Sequence, residues 1–467
     1  MAVTGGVQHG QKGGLGVAAM TTGLGPVLKE EWSDEVTSQF NNEALCYALL
    51  AEGAEDELWQ GEYYVEPLHT GRHRGGSAGR ETDNYPQVGT QGWDQMKIGT
   101  SFYRTSGQIT SKAMLAAEQG EASAIRALTS DIRGALRDLI QEVNVDCYGT
   151  TFGVLAELGE NPGDGVQALT VKNSDEGGFY WQTHGTRYMS GGRSMPVMIG
   201  TLAESGTMNV NNVTTVTTVD SRSTLTVGDA LAAAVADGDV IVRCPSGTAD
   251  YQPDNDEVGK DQLLDFGLVG LEQIISDGTD MPSGLDADYF GIDRSAAANS
   301  IMRSYIQDLG GAALTEDRLQ NFLDGIAETS GEVPDCMLMH RSVRTEFGKL
   351  FRDDRRFVPQ EFAGGWKGQY LVFNPGDGDI HVYVDRHCTY DTIYAINKSY
   401  MKRYTLSGAH LVDYDGSALR QSGSAPAWQW NIEAYFQLGN TKPNSCGKLT
   451  GISADQTFGN ASFLPTF

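Results

Sequence analysis

From Ser111 to Tyr148 the chain runs without a proline, and its apolar residues recur at Ile125, Leu128, Ile132, Leu136, Leu139 and Val143. The steps of three and four place them on one helical face. Arg126, Arg133, Arg137 and Asp138 fall mainly off that stripe. Gly120 and Gly134 weaken a helix without ending it, and Gly149 is a natural stop. The spacing predicts one helix of roughly 35 residues, about 50 Å long at 1.5 Å per residue. A rod of that length must be packed along its whole apolar side, so the rest of the chain has to supply a layer for it.

What precedes it is extended. Tyr63–Leu68 reads as a strand with Pro67 at an edge position. A second run covers Trp93 to Thr110, and a Gly-, Arg- and Thr-rich stretch at 70–92 joins the two. The pattern predicts a long two-stranded hairpin with a polar tip. Such a hairpin is marginal by itself and needs something to lie on. Further upstream, Trp32–Leu50 has helical spacing with Ser33 as N-cap, and the first 28 residues read as an arm.

Downstream the pattern changes twice. Residues 165–262 are rich in Thr and Val, with strands at 210–219, Thr224–Val227 and Asp239–Val242 and turn signals at Asn211-Asn212 and Asp237-Gly238. This reads as a β-rich insertion. Residues 263–379 then alternate. Ala296–Leu309 and Glu316–Thr329 read as helices, Cys336–His340 as a buried strand, and Ser342 as the cap of a helix through Val343, Phe347 and Phe351. Strands at Ile380–Val384, Thr392–Ile396 and Met401–Tyr404 follow. In Trp428–Phe436 apolar residues alternate strictly, so one face is buried. The last segment, 441–467, is polar and reads as a tail. The fold class is α+β.

Charge narrows the function. With 34 Lys and Arg against 61 Asp and Glu the net charge is −27, which opposes tight wrapping by nucleic acid and disfavours a sequence-reading DNA binder. A container whose wall lets DNA slide is compatible with it. The six cysteines, Cys46, Cys147, Cys244, Cys336, Cys388 and Cys446, show no CxxC pair, so free thiols are expected rather than a zinc site or disulfide scaffold. No signal-peptide pattern opens the sequence and no stretch of 18 apolar residues occurs.

No catalytic, cofactor-binding or metal-binding residues emerge. Gly348-Lys349-Leu350 and Gly447-Lys448-Leu449 lack the remainder of a phosphate loop. The acidic runs at 254–257, 377–379 and 413–416 lack calcium-loop spacing and suit turns. His387-Cys388, as neighbours on a strand, would face opposite ways. The Trp428/Trp430/Phe436 stripe reads as core rather than a sugar platform. A soluble hydrolase therefore lacks its nucleophile and base.

The order arm, short helix, long hairpin, very long helix, β-insertion, α/β unit and sheet resembles the major capsid proteins of tailed phages, the fold named after phage Hong Kong 97. The stretch Phe102-Tyr103-Arg104-Thr105-Ser106-Gly107-Gln108-Ile109-Thr110 resembles their lead from extension loop into spine helix. Arg352-Asp353-Asp354-Arg355-Arg356-Phe357 with Gly364-Gly365, and then Val384-Asp385-Arg386, resemble segments of one branch. The likeness covers roughly residues 30–440.

The resemblance implies roles. Residues 1–57 would be the N-terminal arm and short helix, 58–110 the extension loop, and 111–164 the spine helix and start of the peripheral domain. The insertion at 165–262 would follow, then the axial domain at 263–379 and the peripheral sheet at 380–440, with 441–467 as C-terminal tail. Copies would form pentamers and hexamers of an icosahedral shell around double-stranded DNA, contacted non-specifically. A scaffolding protein, a portal and a decoration protein would be partners, with assembly in the host cytoplasm and residence in the virion; no membrane is implied. The hairpin tip carries Arg72, His73, Arg74 and Arg80, suited to an acidic patch on another copy. Tip residues 70–92 contain no lysine, so the Lys–Asn crosslink of some relatives is not expected. About thirty residues precede the first helix, which suggests a separate scaffolding protein or a scaffolding segment that has already been cleaved off. The alternatives are an encapsulin-like compartment shell and, from another class, a secreted β-rich binding protein.

Overall fold

The computed structural model describes residues 45–50, 63–73, 75–76, 78, 80, 84, 88–111, 121–149, 153–160, 165–173, 180–189, 195–202, 208–244, 257–258, 267–279, 288–350, 371–373, 379–413, 419–421 and 426–453. The chain forms two compact units, one of residues 1–42, 103–141 and 409–434 and the other of 43–102, 142–408 and 435–467.

The predicted long helix is present as α2, Glu121–Asp146, after the short α1, Leu45–Leu49. Ser111 is helical too, and residues 112–120 lie outside the described residues. Leu139 and Val143 are buried as the stripe requires, whereas Leu136 is half-buried. The chain leaves the helix through Cys147 and Tyr148, whose amides close on Val143 and Val145. The arm, residues 32–44 of the predicted first helix, and residues 352–357 and 364–365 are outside the described residues.

The second extended run divides. β1, Tyr64–Gly71, pairs antiparallel with β2, Gly92–Ile98, from Tyr64↔Ile98 to Gly71↔Gly92. Gly99 and Thr100 then break the run, and β3, Ser101–Thr110, leaves the hairpin for another sheet. That sheet has the order β18 (Met401–Leu411), β20 (Ala427–Asn440), β19 (Arg420–Gln421), with β3 on β20. Within the first unit, Arg420 faces Gln429 and the Ser111 amide donates to Pro426. The alternation read along Trp428–Phe436 holds from Trp430 onward: Trp430, Ile432, Ala434 and Phe436 are buried and Trp428 is half-buried.

In the second unit, a seven-stranded sheet takes in the Thr- and Val-rich strands of residues 165–262. Its order is β4 (Val154–Glu157), β9 (Val240–Arg243), β6 (Met195–Leu202), β7 (Met208–Val219), β8 (Thr224–Val227), β5 (Ala168–Thr170), with β10 (Glu257–Val258) on β7. Because β4 pairs β9, the sheet begins before residue 165. Asn211 and Asn212 are not a turn: they lie inside β7, where Asn212 Oδ1 accepts from the Ala232 and Ala233 amides. The Asp237-Gly238 turn is present, with Gly238 at φ 92°. Leu155, Leu169, Val197, Ile199, Val216, Leu225 and Ile241 form its core.

The α/β unit contains more strand than the spacing predicted. Ala296–Leu309 is not a helix. A 3-10 turn, Ala297–Met302, gives way to β13, Tyr305–Ala312. The apolar steps there fit a helix, but Gly310 and Gly311 take left-handed φ and β13 gains a partner strand. α5, Glu316–Ser330, has the predicted buried face of Leu319, Phe322, Leu323 and Ile326. Its first turn is capped by Thr315, whose side chain accepts from the Arg318 amide. Ser342 is not a cap: α6 spans Arg341–Leu350, and His340 Nδ1 accepts from the Ser342 amide at its start.

The six-stranded sheet beneath these helices has the order β13, β21 (Gly447–Ile452), β17 (Ile393–Ile396), β14 (Cys336–Met339), β16 (Ile380–Val384), β15 (Leu371–Phe373). Two expectations fail here. β16 and β17 belong with β14, so the boundary drawn at 379/380 cuts through one sheet. Residues 447–452 are not tail: β21 lies between β13, in parallel, and β17, antiparallel, with Leu449 fully buried. Polar composition concealed this strand because Lys448 is itself a core residue, only 2% exposed.

Candidate assembly elements and the polar hub

The hairpin has two unlike faces. Tyr64, Leu68, Met96 and Ile98 are buried inward, and Pro67, His69, Trp93, Gln95 and Lys97 are exposed. The inner face rests on other parts of the same unit: the Tyr64 ring lies tilted against Tyr404 at 4.8 Å, and the Lys97 amide donates to Phe290 O at 3.0 Å. Phe290 and Gly291, both left-handed, form the turn between β11 (Asp288–Tyr289) and β12 (Ile292–Asp293). On the outer face Trp93 is 64% exposed and contacts His69 at 5.0 Å. Such a face, carried on a hairpin too small to be stable alone, is suited to contact with another surface.

Beyond Gly71 and Gly92, the structure places Arg72, His73 and Arg80 in the exposed tip. His73 Nδ1 accepts from the Gly75 amide at 3.1 Å, which turns the chain. Arg74 lies outside the described residues. Three of the four residues singled out from sequence are thus described, and all three are exposed.

Behind the hairpin is a buried hub that the sequence did not announce. Asn144, fully buried at the end of α2, uses every polar atom of its amide. Its Oδ1 accepts from the Cys46 and Tyr47 amides of α1 at 3.0 and 3.2 Å. Its Nδ2 donates to Asp385 Oδ2 at 3.1 Å and to His387 Nδ1 at 2.8 Å. Asp385 also accepts from Tyr148 Oη at 2.8 Å and from the His387 amide at 2.9 Å. Since Nδ1 accepts, the His387 imidazole is neutral with its proton on Nε2. Burial, partly opposed by Asp385, pushes its pKa down to about 4. Val384-Asp385-Arg386, singled out by resemblance, therefore supplies the carboxylate at the centre of the hub.

A second cluster ties the β-rich sheet to the same loop. Arg187 Nη1 donates to Tyr390 Oη at 2.8 Å and Nη2 to Arg386 O at 2.7 Å. Around the Tyr390 ring lie His184, stacked at 4.7 Å, His340, edge-on at 4.4 Å, and Arg222 at 4.8 Å. Burial, and then Arg187, hold His184 and His340 well below the usual histidine range. These imidazoles are neutral packing groups. Burial likewise pushes the Cys388 thiol well above its ordinary value, away from the thiolate a nucleophile needs. His387 and Cys388 lie in the loop after β16, not on a strand.

A third buried group fixes β21. Lys448 Nζ donates to Glu272 Oε1 at 3.1 Å, and Tyr394 Oη to Glu272 Oε2 at 2.6 Å. Glu272 belongs to α4, Leu271–Ile274, so one carboxylate joins α4, β17 and β21. Neither hub was readable from sequence. Each depends on partners far away in the chain, up to 243 residues from Asn144.

The deciding observation lies in this same region. Residues 270–453, from the residue before α4 to the one after β21, match the SU10 major capsid protein family. Over that segment the chain is similar to the major capsid proteins of tailed phages. The fold agrees: the capsid asymmetric unit of cyanophage A-1(L) aligns over 91% of this chain and 97% of its own, with TM-score 0.50 and 12% identity. The capsid of Gordonia phage Cozz aligns over 97% of this chain and 100% of its own, at TM-score 0.41 and 10% identity. No curated protein matches this chain in sequence. Among the described residues no helix is long and apolar enough to cross a membrane, and no group of three or more His, Cys, Asp or Glu could hold a metal.

Proposed function

We propose that this chain is a tailed-phage major capsid protein that builds a closed icosahedral head shell from pentamers and hexamers around double-stranded DNA, with the hairpin as a strap between copies. The family match over 270–453 carries the shell reading. The strap reading is supported by the hairpin's exposed Trp93 face and by its basic tip, Arg72, His73, Arg74 and Arg80, on a chain of net charge −27. Opposite charge steers such a tip to a neighbouring copy. Residues 263–379 together with β16, β17 and β21 act as the axial body, since they share one sheet. A scaffolding protein directs assembly in the host cytoplasm, and a portal and a decoration protein complete the head. The acidic wall holds DNA through weak, non-specific contacts. The protein's role is structural, without an enzymatic step.

Electron microscopy of the purified protein, co-expressed with its scaffolding neighbour, tests this. Closed particles or capsomer rings are the expected outcome. A monomer that never assembles under those conditions rejects the proposal.

A further inference from the structure

At the turn between β7 and β8, Arg222 places its guanidinium 4.8 Å from the centre of the Tyr390 ring, and Arg187 stands 5.3 Å from the same ring. Two cations therefore share one phenol. Arg187 is tied down through Tyr390 Oη, Arg386 O and, at 3.4 Å, His184 Nδ1. Arg222 has no such hold. Among the described residues its side chain makes no hydrogen bond and no ion pair, and its Nη2 is closed off from solvent without an acceptor. The residue as a whole is only half-buried, so the guanidinium keeps an open side. Its backbone is nonetheless fixed: Arg222 O accepts from the Thr186 amide at 2.9 Å, in space that left-handed Gly185 leaves by lacking a Cβ. A cation set beside another cation, with one donor stranded, costs stability unless an anion faces it. Asp385, in the loop that carries Tyr390, spends its oxygens on Asn144, Tyr148 and the His387 amide. His184 and His340, which burial keeps neutral, add no charge.

We propose that Arg222, with Arg187 beside it, forms a binding site for a phosphate-type oxyanion where the β7–β8 turn meets the Tyr390 loop. The planar guanidinium presents Nη1 and Nη2 along one edge, so an oxyanion seated there gives the stranded Nη2 its acceptor through charge-assisted hydrogen bonds. A tetrahedral dianion balances two cations better than a single carboxylate does. Free phosphate and the phosphodiester backbone of nucleic acid offer the same oxygens. The net charge of −27 repels a long polyanion more than a small one, which favours the free ion. Once bound, the anion clamps the seven-stranded sheet to the loop between β16 and β17.

The test uses the purified full-length protein and does not depend on shell formation. Its thermal midpoint is followed against inorganic phosphate, with sodium chloride of matched ionic strength as the reference. The unaltered protein should show a saturable rise. Arg222→Gln should abolish the saturation, and in chloride its midpoint should equal or exceed that of the unaltered protein, because it removes a cation that nothing opposes. A side chain of purely structural value would instead lower the midpoint in both salts, and that outcome overturns the proposal. A rise that never saturates and is the same in Arg222→Gln means an adventitious ion only and overturns it too, as does the absence of any phosphate effect. A thymidine oligonucleotide in place of phosphate separates the two sources: stabilisation by phosphate alone assigns the free ion, and stabilisation by the oligonucleotide assigns the nucleic-acid backbone. If Arg222→Gln does not fold, calorimetric titration of phosphate into Arg222→Lys decides. Its ammonium lacks the planar fork, so binding should weaken about tenfold, and binding equal to that of the unaltered protein removes the site.

Discussion

Asn144 Nδ2 and Asp385 Oδ2 lie 3.1 Å apart, both buried, though 241 residues separate them in the chain. This one contact connects the end of the long helix to the loop after β16. Through Asn144 Oδ1 it also reaches α1. An amide suits the position because it both donates and accepts. Replacing it with Ala strands two backbone amides and part of a carboxylate in an apolar setting. Asn144→Ala should lose about 3 kcal/mol of stability, and Asn144→Asp at least as much, since a second carboxylate would face Asp385. Urea denaturation of the soluble subunit measures both. A change within error for either variant would mean that the hub contributes no stability.

Acid should weaken the same region. The folded pKa of His387 is pushed down to about 4, below the ordinary value near 6.5. Between those values the unfolded chain binds a proton that the folded chain refuses. Its contribution is therefore intact above pH 6.5 and falls away as pH drops toward 4, by about 3 kcal/mol over the window. His184 and His340, also shifted downward, add with the same sign. Denaturation midpoints at pH 7 and pH 4.5 should differ less for His387→Gln than for the unaltered protein. Equal pH sensitivity in the two proteins would remove His387 as a contributor.

The buried pair Lys448–Glu272 gives a contrast of variants. Lys448→Ala leaves Glu272 charged and enclosed, at a cost of about 3–5 kcal/mol. Lys448→Met with Glu272→Gln removes both charges and should recover most of that loss. Thermal unfolding of the single and double variants separates the charge from the packing.

Gly107 lies against the Trp430 indole within the first unit, and a Cβ there would fall inside the ring. Gly107→Ala should cost about 1–3 kcal/mol by overpacking. Trp430→Phe in the same chain should relieve part of it, which a double-mutant cycle reads directly.

At the hairpin tip, Arg72→Glu with Arg80→Glu should reduce closed-particle yield severalfold while leaving the circular dichroism of the subunit unchanged. Particle counts by negative-stain microscopy decide, and an undiminished yield would dismiss the charge-steering account.

The sequence was most legible where periodicity and burial coincide. The long helix, α5 and the alternation from Trp430 to Phe436 were readable because each buries one regular face. It misled where local pattern and tertiary pairing disagree. The apolar steps of residues 296–309 mimic a helix, yet β13 is drawn into pairing with β21. Asn211 and Asn212 look like a turn, yet Asn212 caps the backbone of a neighbouring segment from within a strand. Lys448 made a core strand look like a polar tail, because its partner Glu272 lies 176 residues away. Of the tip residues singled out for their charge, Arg72, His73 and Arg80 are exposed. Asn144, Asp385 and Glu272 carry no local signal of their role, since it depends on distant groups.

The place of β21 has a consequence for synthesis. It bridges β13 and β17, so a nascent chain that has already made β13 through β17 still holds β13 apart from the four paired strands β17, β14, β16 and β15. They join only after residues 447–452 leave the ribosome. A polypeptide released early lacks the bridging strand and cannot present a finished capsid surface. The closing of this sheet is thereby postponed to the last of its strands to be synthesised.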